Sequence, residues 1–232
     1  MFLTPSYQFP TGDSMTLNRR AEILNFTADH DCWVIEDDYD NEFRFDDRPL
    51  SSLYSMDQGH RTFYLGTFNK VLTSTLRVGY IIVPPQLMEP FTQAYSVLGN
   101  ESLLLTQAAL AEFMTEGHLG KHIRRMRKVY TERRHALMSA LNSHFNNPDS
   151  LKRREAGGMH LVLDIEGPAS DQQLRQQANH QGLGGRALTD LRMGSSNRQG
   201  LVLGFTAAPV PYLQQGAETI ARIVRENNCQ VL

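Results

Sequence analysis

Cysteine is scarce: the 232 residues hold two, Cys32 and Cys229, at no spacing that suggests a disulfide framework or a zinc site. A reducing cytosol is therefore the expected setting. Long apolar runs are missing too. The longest are strand-sized, far short of the ~20 residues that a membrane span needs. The opening MFLTPSYQFPTG has no basic segment and an early proline, which excludes a signal-peptide reading. A soluble, cytoplasmic protein with no membrane partner is expected. No sign of charge dominates: the formal net charge is -2, so bulk attraction to nucleic acid is not implied. Internal repeats and low-complexity stretches are absent. With 41% hydrophobic and 21% charged residues, the chain sits in the globular range rather than the disordered one. Lysine is the rarest basic residue. Only Lys70, Lys121, Lys128 and Lys152 occur, so any lysine chemistry in the first 120 residues has one candidate.

What is present reads as α/β. Residues 1–13 are punctuated by Pro5, Pro10 and Gly12 and read as loop. Leu17, Ala21, Leu24 and Ala28 form one stripe, predicting an amphipathic helix over 15–30. Cys32 to Ile35 is a strand-like run that ends in Glu36-Asp37-Asp38-Tyr39-Asp40. Residues 41–61, with Pro49 and Gly59, read as a long functional loop. Phe63–Phe68 and Val78–Val83 are further strands, and near-continuous apolar strands of this kind fit a parallel sheet covered on both faces. Residues 86–145 are helical in pattern. Gly157-Gly158 precede a strand over 159–165, and helices over 170–180 and 211–227 flank a strand over 201–205. The expected organisation is a large-domain part over 1–95, a helical joining segment over 96–130, and a small α/β domain over 131–232.

Open parallel sheets bind ligands beyond the carboxyl ends of their strands. Asp37 and Tyr39 follow the first strand, Thr67 and Lys70 end and follow the second, and Arg77 precedes the third. That set matches the needs of pyridoxal 5'-phosphate (PLP): an amine for the Schiff base, a carboxylate for the pyridine nitrogen, a phenol for the ring oxygen, and a guanidinium with a hydroxyl for the phosphate.

The runs E-D-D-Y-D at 36–40, Y-L-G-T-F-N-K at 64–70 and L-R-V-G-Y at 76–80 resemble the fold-type I, class I/II aminotransferases. T-P-S-Y-Q-F-P-T-G at 4–12 has Phe9 where most such enzymes carry asparagine. In that respect the chain is similar to the aminotransferase-like domain of MocR/GabR regulators of the GntR superfamily. G-G-M-H at 157–160 and N-R-Q-G-L-V-L-G-F at 197–205 extend the resemblance along the chain. The resemblance implies a fold-type I PLP-dependent transferase-like fold, a partial large domain with a mostly parallel sheet plus a small domain. It implies that Lys70 carries PLP and serves as the catalytic lysine. Asp37 would pair with the pyridinium, Tyr39 would bond the ring oxygen, Thr67 and Arg77 would hold the phosphate, and Arg198 would clamp the α-carboxylate of an amino compound. It further implies a homodimer that meets DNA only through a winged helix-turn-helix ahead of this chain, which reads as an N-terminally truncated piece. Asn69 stands where the family often has serine, and Ser74-Thr75 where Pro-Gly is common.

The plainer readings differ in strength. A lysine after a strand is ordinarily solvated; its company here reverses that. Asp37 is chosen by the resemblance, since Asp38 and Asp40 are equally good turn caps. The basic run of Lys121, Arg124, Arg125, Arg127, Lys128, Arg133 and Arg134 reads as a solvated helix face rather than a nucleic-acid patch. His160 reads as a core or crevice histidine, and no metal site is expected. Three functions stay open: a ligand-sensing domain using Schiff-base exchange at Lys70, a working aminotransferase, and a cofactor-free dimerisation remnant.

Overall fold

A computed structural model describes residues 1–45, 50–58, 60–98, 103–145, 158–194 and 196–232. Pro49, Gly59 and Gly157, invoked above, lie outside the described residues. The chain divides into two units: Met1–Gln8 with Asp13–Arg125, and Phe9–Gly12 with Met126–Leu232. The division falls inside the segment 96–130 that was expected to join two domains.

The first unit is built on a four-stranded sheet in the order β1-β2-β3-β4. Strands β1 (Phe2–Leu3), β2 (Val34–Asp37) and β3 (Thr62–Thr67) run parallel, with Phe2 opposite Ile35 and Asp37 opposite Leu65. Strand β4 (Gly79–Ile82) is antiparallel to β3, which corrects the parallel expectation for this segment. The reason is length. Residues 68–78 are too few for a parallel crossover, which needs about a dozen or more. Along β4, Tyr80, Ile81 and Ile82 are all exposed, and β4 is an edge of the sheet among the described residues.

Helix α1 (Leu17–Asp29) starts where the Thr16 side chain accepts the Arg19 amide. It does not bury the expected stripe. Leu17, Ala21 and Ala28 are exposed, and Arg20 and Thr27 face inward. Tertiary bonding overrides periodicity here. The Arg20 guanidinium donates to the carbonyls of Met15, Ser51 and Pro5 at 3.1, 2.9 and 2.8 Å. It also lies 3.7 Å from Glu36 Oε1, with both side chains fully buried. Glu36 in turn accepts the amides of Leu53 and Tyr54, both at 2.9 Å, at the start of the short α2 (Leu53–Met56). One buried ion pair thus ties together the 4–15 loop, α1, β2 and the segment entering α2. Helices α3 (Met88–Leu98) and α4 (Leu104–Thr115) follow. Gly117, at φ +75, breaks the chain before α5 (His118–Phe145).

The second unit holds an antiparallel sheet in the order β6-β7-β5-β8: β6 (Arg186–Ala187), β7 (Gln199–Gly204), β5 (His160–Glu166) and β8 (Gln230–Val231). Helix α6 (Asp171–His180) opens with a capping box between Ser170 and Gln173. Helix α7 (Val210–Glu226) buries Leu213, Ala217, Ile220, Ala221, Ile223 and Val224. With Leu141 of α5, Leu163 of β5 and Leu201 of β7, these give the unit its apolar core. Among the described residues, no helix is long and apolar enough to cross a membrane.

Candidate functional site

Five of the expected site residues gather in the first unit, at the carboxyl ends of the adjacent strands β2 and β3 and in the loop that follows. Asp37 is the last residue of β2 and lies opposite Leu65, two residues before Thr67 ends β3. Its carboxylate is half-buried, and burial, then the neighbouring Asp38, pushes its pKa up. No hydrogen bond or ion pair engages that carboxylate among the described residues. Tyr39 donates its hydroxyl to the Tyr7 carbonyl at 3.3 Å, and burial pushes its phenol pKa up.

Asp38 and Asp40 are not interchangeable with Asp37. Asp38 is 3% exposed and accepts the Tyr64 hydroxyl at 2.6 Å. The Tyr64 ring also neighbours the Tyr80 ring, with centroids 6.2 Å apart. Gly66 makes room for Tyr80, because a Cβ there would lie 2.2 Å from its ring. Asp40, equally buried, has a carboxyl pKa pushed up to about 8, chiefly by burial and then by Asp38 and Glu42, with Lys70 opposing. Asp40 precedes the short 3-10 turn Asn41–Phe43 without capping it by its side chain.

Lys70 sits in a tight turn after β3. Thr67 Oγ1 accepts the Asn69 amide at 3.2 Å, and the Phe68 carbonyl accepts the Leu72 amide at 2.9 Å across the lysine. The lysine side chain is exposed. The Phe68 amide donates to Val78 at 3.0 Å, which brings the far end of the loop back to β3. Arg77, one residue before Val78, is exposed and adopts φ +54. A left-handed conformation at an arginine costs about 1–2 kcal/mol, a cost that Asp31, His60 and Asn228 carry as well. An exposed amine, an unengaged half-buried carboxylate, a phenol, a hydroxyl and a guanidinium are the donor set that PLP requires, so the residues fit the group.

Arg198 belongs to the second unit, where Asp164 of β5 holds its fork. Nε lies 2.8 Å from one carboxylate oxygen and Nη2 lies 3.3 Å from the other. It precedes β7, at the opposite end of the β5–β7 pair from His160. His160 donates from Nε2 to the Pro10 carbonyl at 3.1 Å and meets the Phe9 ring edge-on at 5.2 Å. In the basic run, Lys121, Arg124, Arg127 and Lys128 are exposed, Arg134 is buried, and Arg133 bonds the Thr206 carbonyl. Sequence reasoning passed over Arg20 and Glu36. The signal available was an arginine placed within an otherwise apolar helical face.

Comparison with known proteins adds a context. The family model described as "Aminotransferase class I and II" matches residues 1–190. The chain is 36% identical over 220 residues to the probable rhizopine catabolism regulatory protein MocR of Rhizobium meliloti, covering 95% of this chain and 44% of that protein. It is 32% identical over 205 residues to the pyridoxine biosynthesis transcriptional regulator PdxR of Corynebacterium glutamicum, covering 88% and 44%. The chain thus spans less than half the length of these regulators. Among solved structures, the kynurenine aminotransferase of Pyrococcus horikoshii, in complex with PMP, superposes with a TM-score of 0.85 at 25% identity, covering 97% of this chain and 55% of that one.

Proposed function

Because this chain belongs to the class I and II aminotransferase family and has the fold-type I PLP-dependent transferase architecture, we propose that it is the PLP-binding, aminotransferase-like part of a MocR-type transcriptional regulator. The observation that carries the reading is the side-by-side placement of Asp37 and Tyr39 at the end of β2 with Thr67 and Lys70 at the end of β3. The regulator half rests on the resemblance to MocR and PdxR.

PLP, when bound, supplies an aldehyde for amine exchange and a ring that withdraws electrons. Lys70 provides the amine that carries it. Asp37 would pair with the pyridinium, whose positive charge would favour the ionised carboxylate and oppose the effect of burial. Tyr39, whose hydroxyl donates to the Tyr7 carbonyl in this structure, would supply a phenol for the ring oxygen. Thr67 and Arg77 would supply a hydroxyl and a guanidinium for the phosphate. In a sensor, Lys70 would be the amine that an incoming amino compound replaces on the aldehyde carbon, leaving Lys70 as the free amine. Arg198, paired with Asp164 within the second unit, would take a ligand carboxylate only by giving up that pair. The chain works as a cytoplasmic homodimer, and DNA contact belongs to a winged helix-turn-helix outside these residues.

A second reading, a working aminotransferase, is favoured by the likeness to the Pyrococcus enzyme. One titration tests both readings. PLP added to the chain is expected to give a visible absorbance band that Lys70→Ala abolishes. A band that is absent, or that survives in Lys70→Ala, refutes the assignment. Sustained product from an amino donor and a 2-oxo acid would replace the sensor by the enzyme.

A further inference from the structure

The geometry points to His122 as a positioning residue that holds the Lys70 turn in shape, an inference that rests on the reading of Lys70 as the cofactor lysine. His122 lies in the second turn of α5, within the first unit and inside the basic run that the proposed function leaves unused. Its Nε2 is 2.9 Å from the carbonyl oxygen of Val71, the residue directly after Lys70. Its Nδ1 is 3.3 Å from Arg125 Nη2.

The donor and acceptor roles follow. A guanidinium only donates, so Nδ1 accepts and carries no proton. The ring proton is then on Nε2, and it donates to Val71. Arg125, one helical turn along, therefore fixes the tautomer that the Val71 contact requires.

The contact matters because of where the Val71 carbonyl sits. The Val71–Leu72 peptide is held at its other end, where the Leu72 amide reaches back across Lys70 to Phe68 at 2.9 Å. The turn does not continue as a helix. The Thr75 amide, which a helix would aim at Val71, goes instead to Thr73 Oγ1 at 3.4 Å. Val71 is 3% exposed, so without His122 its carbonyl would be left unpaired in a buried place. His122 completes the bonding of the Val71–Leu72 peptide, the second peptide after Lys70, whose amide already closes the turn on Phe68. The lysine side chain is exposed; His122 and Phe68 hold the turn from which it projects.

The test uses the 232-residue chain as wild type, His122→Ala, His122→Gln, Arg125→Ala and Lys70→Ala. Without cofactor, amide hydrogen exchange at Leu72 is expected to speed about tenfold in His122→Ala, the loss of one hydrogen bond to a buried carbonyl. It should stay near wild type in His122→Gln, whose amide still donates. With PLP, attachment to Lys70, fixed by borohydride and located by mass, should slow about tenfold in His122→Ala and recover in His122→Gln. Nitrogen chemical shifts should show Nε2 protonated and Nδ1 bare, with that preference weakened in Arg125→Ala. Unchanged exchange in His122→Ala overturns the inference, as does a proton on Nδ1. Faster exchange with unchanged PLP attachment overturns it too, since His122 would then support the fold only. Absence of PLP on Lys70 in the wild-type chain is a separate signature: it overturns the cofactor reading and this inference with it.

Discussion

Replacing Arg20 by methionine should weaken the first unit more than any other single change near the site. The Arg20 side chain is fully buried, and its pKa is lowered by that burial, with Glu36 and Asp38 opposing. Glu36 is held equally deep, its carboxyl pushed up by burial despite the Tyr54 and Leu53 amides. Breaking a buried ion pair by removing one partner costs about 3–5 kcal/mol, because the other charge stays behind. The carbonyls of Pro5, Met15 and Ser51 also lose their donors. They lie in loops that can shift to admit water, so they add little beyond that range, and about 4 kcal/mol is expected. Glu36→Gln strands the Arg20 cation in turn, but the Pro5, Met15 and Ser51 carbonyls still accept from it and the amide keeps an acceptor for one of the two α2 amides, so the low end of that range, about 3 kcal/mol, is expected. The double change Arg20→Met/Glu36→Leu should cost less than the sum of its parts by at least about 1 kcal/mol. Trp33 is the sole tryptophan and stands just before β2 in the first unit, so its emission during urea unfolding reports on that unit alone. If Arg20→Met stays within about 1 kcal/mol of wild type, or costs no more than Glu36→Gln, the keystone argument is wrong.

Two further outcomes are expected from the same urea assay. Asp40 holds its proton to about pH 8 in the folded chain against 3.8 for the ordinary group. Its contribution to stability is therefore present below about pH 4 and is lost as pH rises toward 8, by up to about 1.4 kcal/mol per pH unit; Asp40→Asn should flatten that slope, and an unchanged slope would count against the buried, protonated acid. Gly66→Ala places a methyl 2.2 Å from the Tyr80 ring and should cost about 1–3 kcal/mol; adding Tyr80→Ala should restore most of the loss, and failure of that rescue would show that the backbone, not the ring, needs the glycine.

The cores of both sheets were legible because a buried strand announces itself by an unbroken apolar run. Residues 34–37, 62–67, 160–166 and 199–204 all lie within or beside such runs. The two-residue strands β1, β6 and β8 carry no such signal, since pairing with a neighbour defines them. The inward face of α1 was misread because the bonds of Arg20 reach Pro5 and Ser51, which are distant in sequence. The candidate site was visible as a motif, for Asp37, Tyr39, Thr67, Lys70 and Arg77 lie in or just after β2 and β3 or in the loop before β4. The division of labour among Asp37, Asp38 and Asp40 was not. It depends on which face of the sheet each side chain takes and on Tyr64, which arrives from the neighbouring strand. His122 was hidden for a similar reason, since a helix-borne histidine among arginines gives no hint of a carbonyl waiting across the fold.

The composition of β4 sets how the isolated chain behaves at the bench. Gly79-Tyr80-Ile81-Ile82 carries no charge and presents large exposed side chains, and among the described residues its outer edge pairs with no strand. Such a border recruits other strands. Concentrated samples should gel or precipitate through added strands well before the core unfolds. A lysine at Ile81 would keep the preparation clear, with the cofactor lysine left untouched.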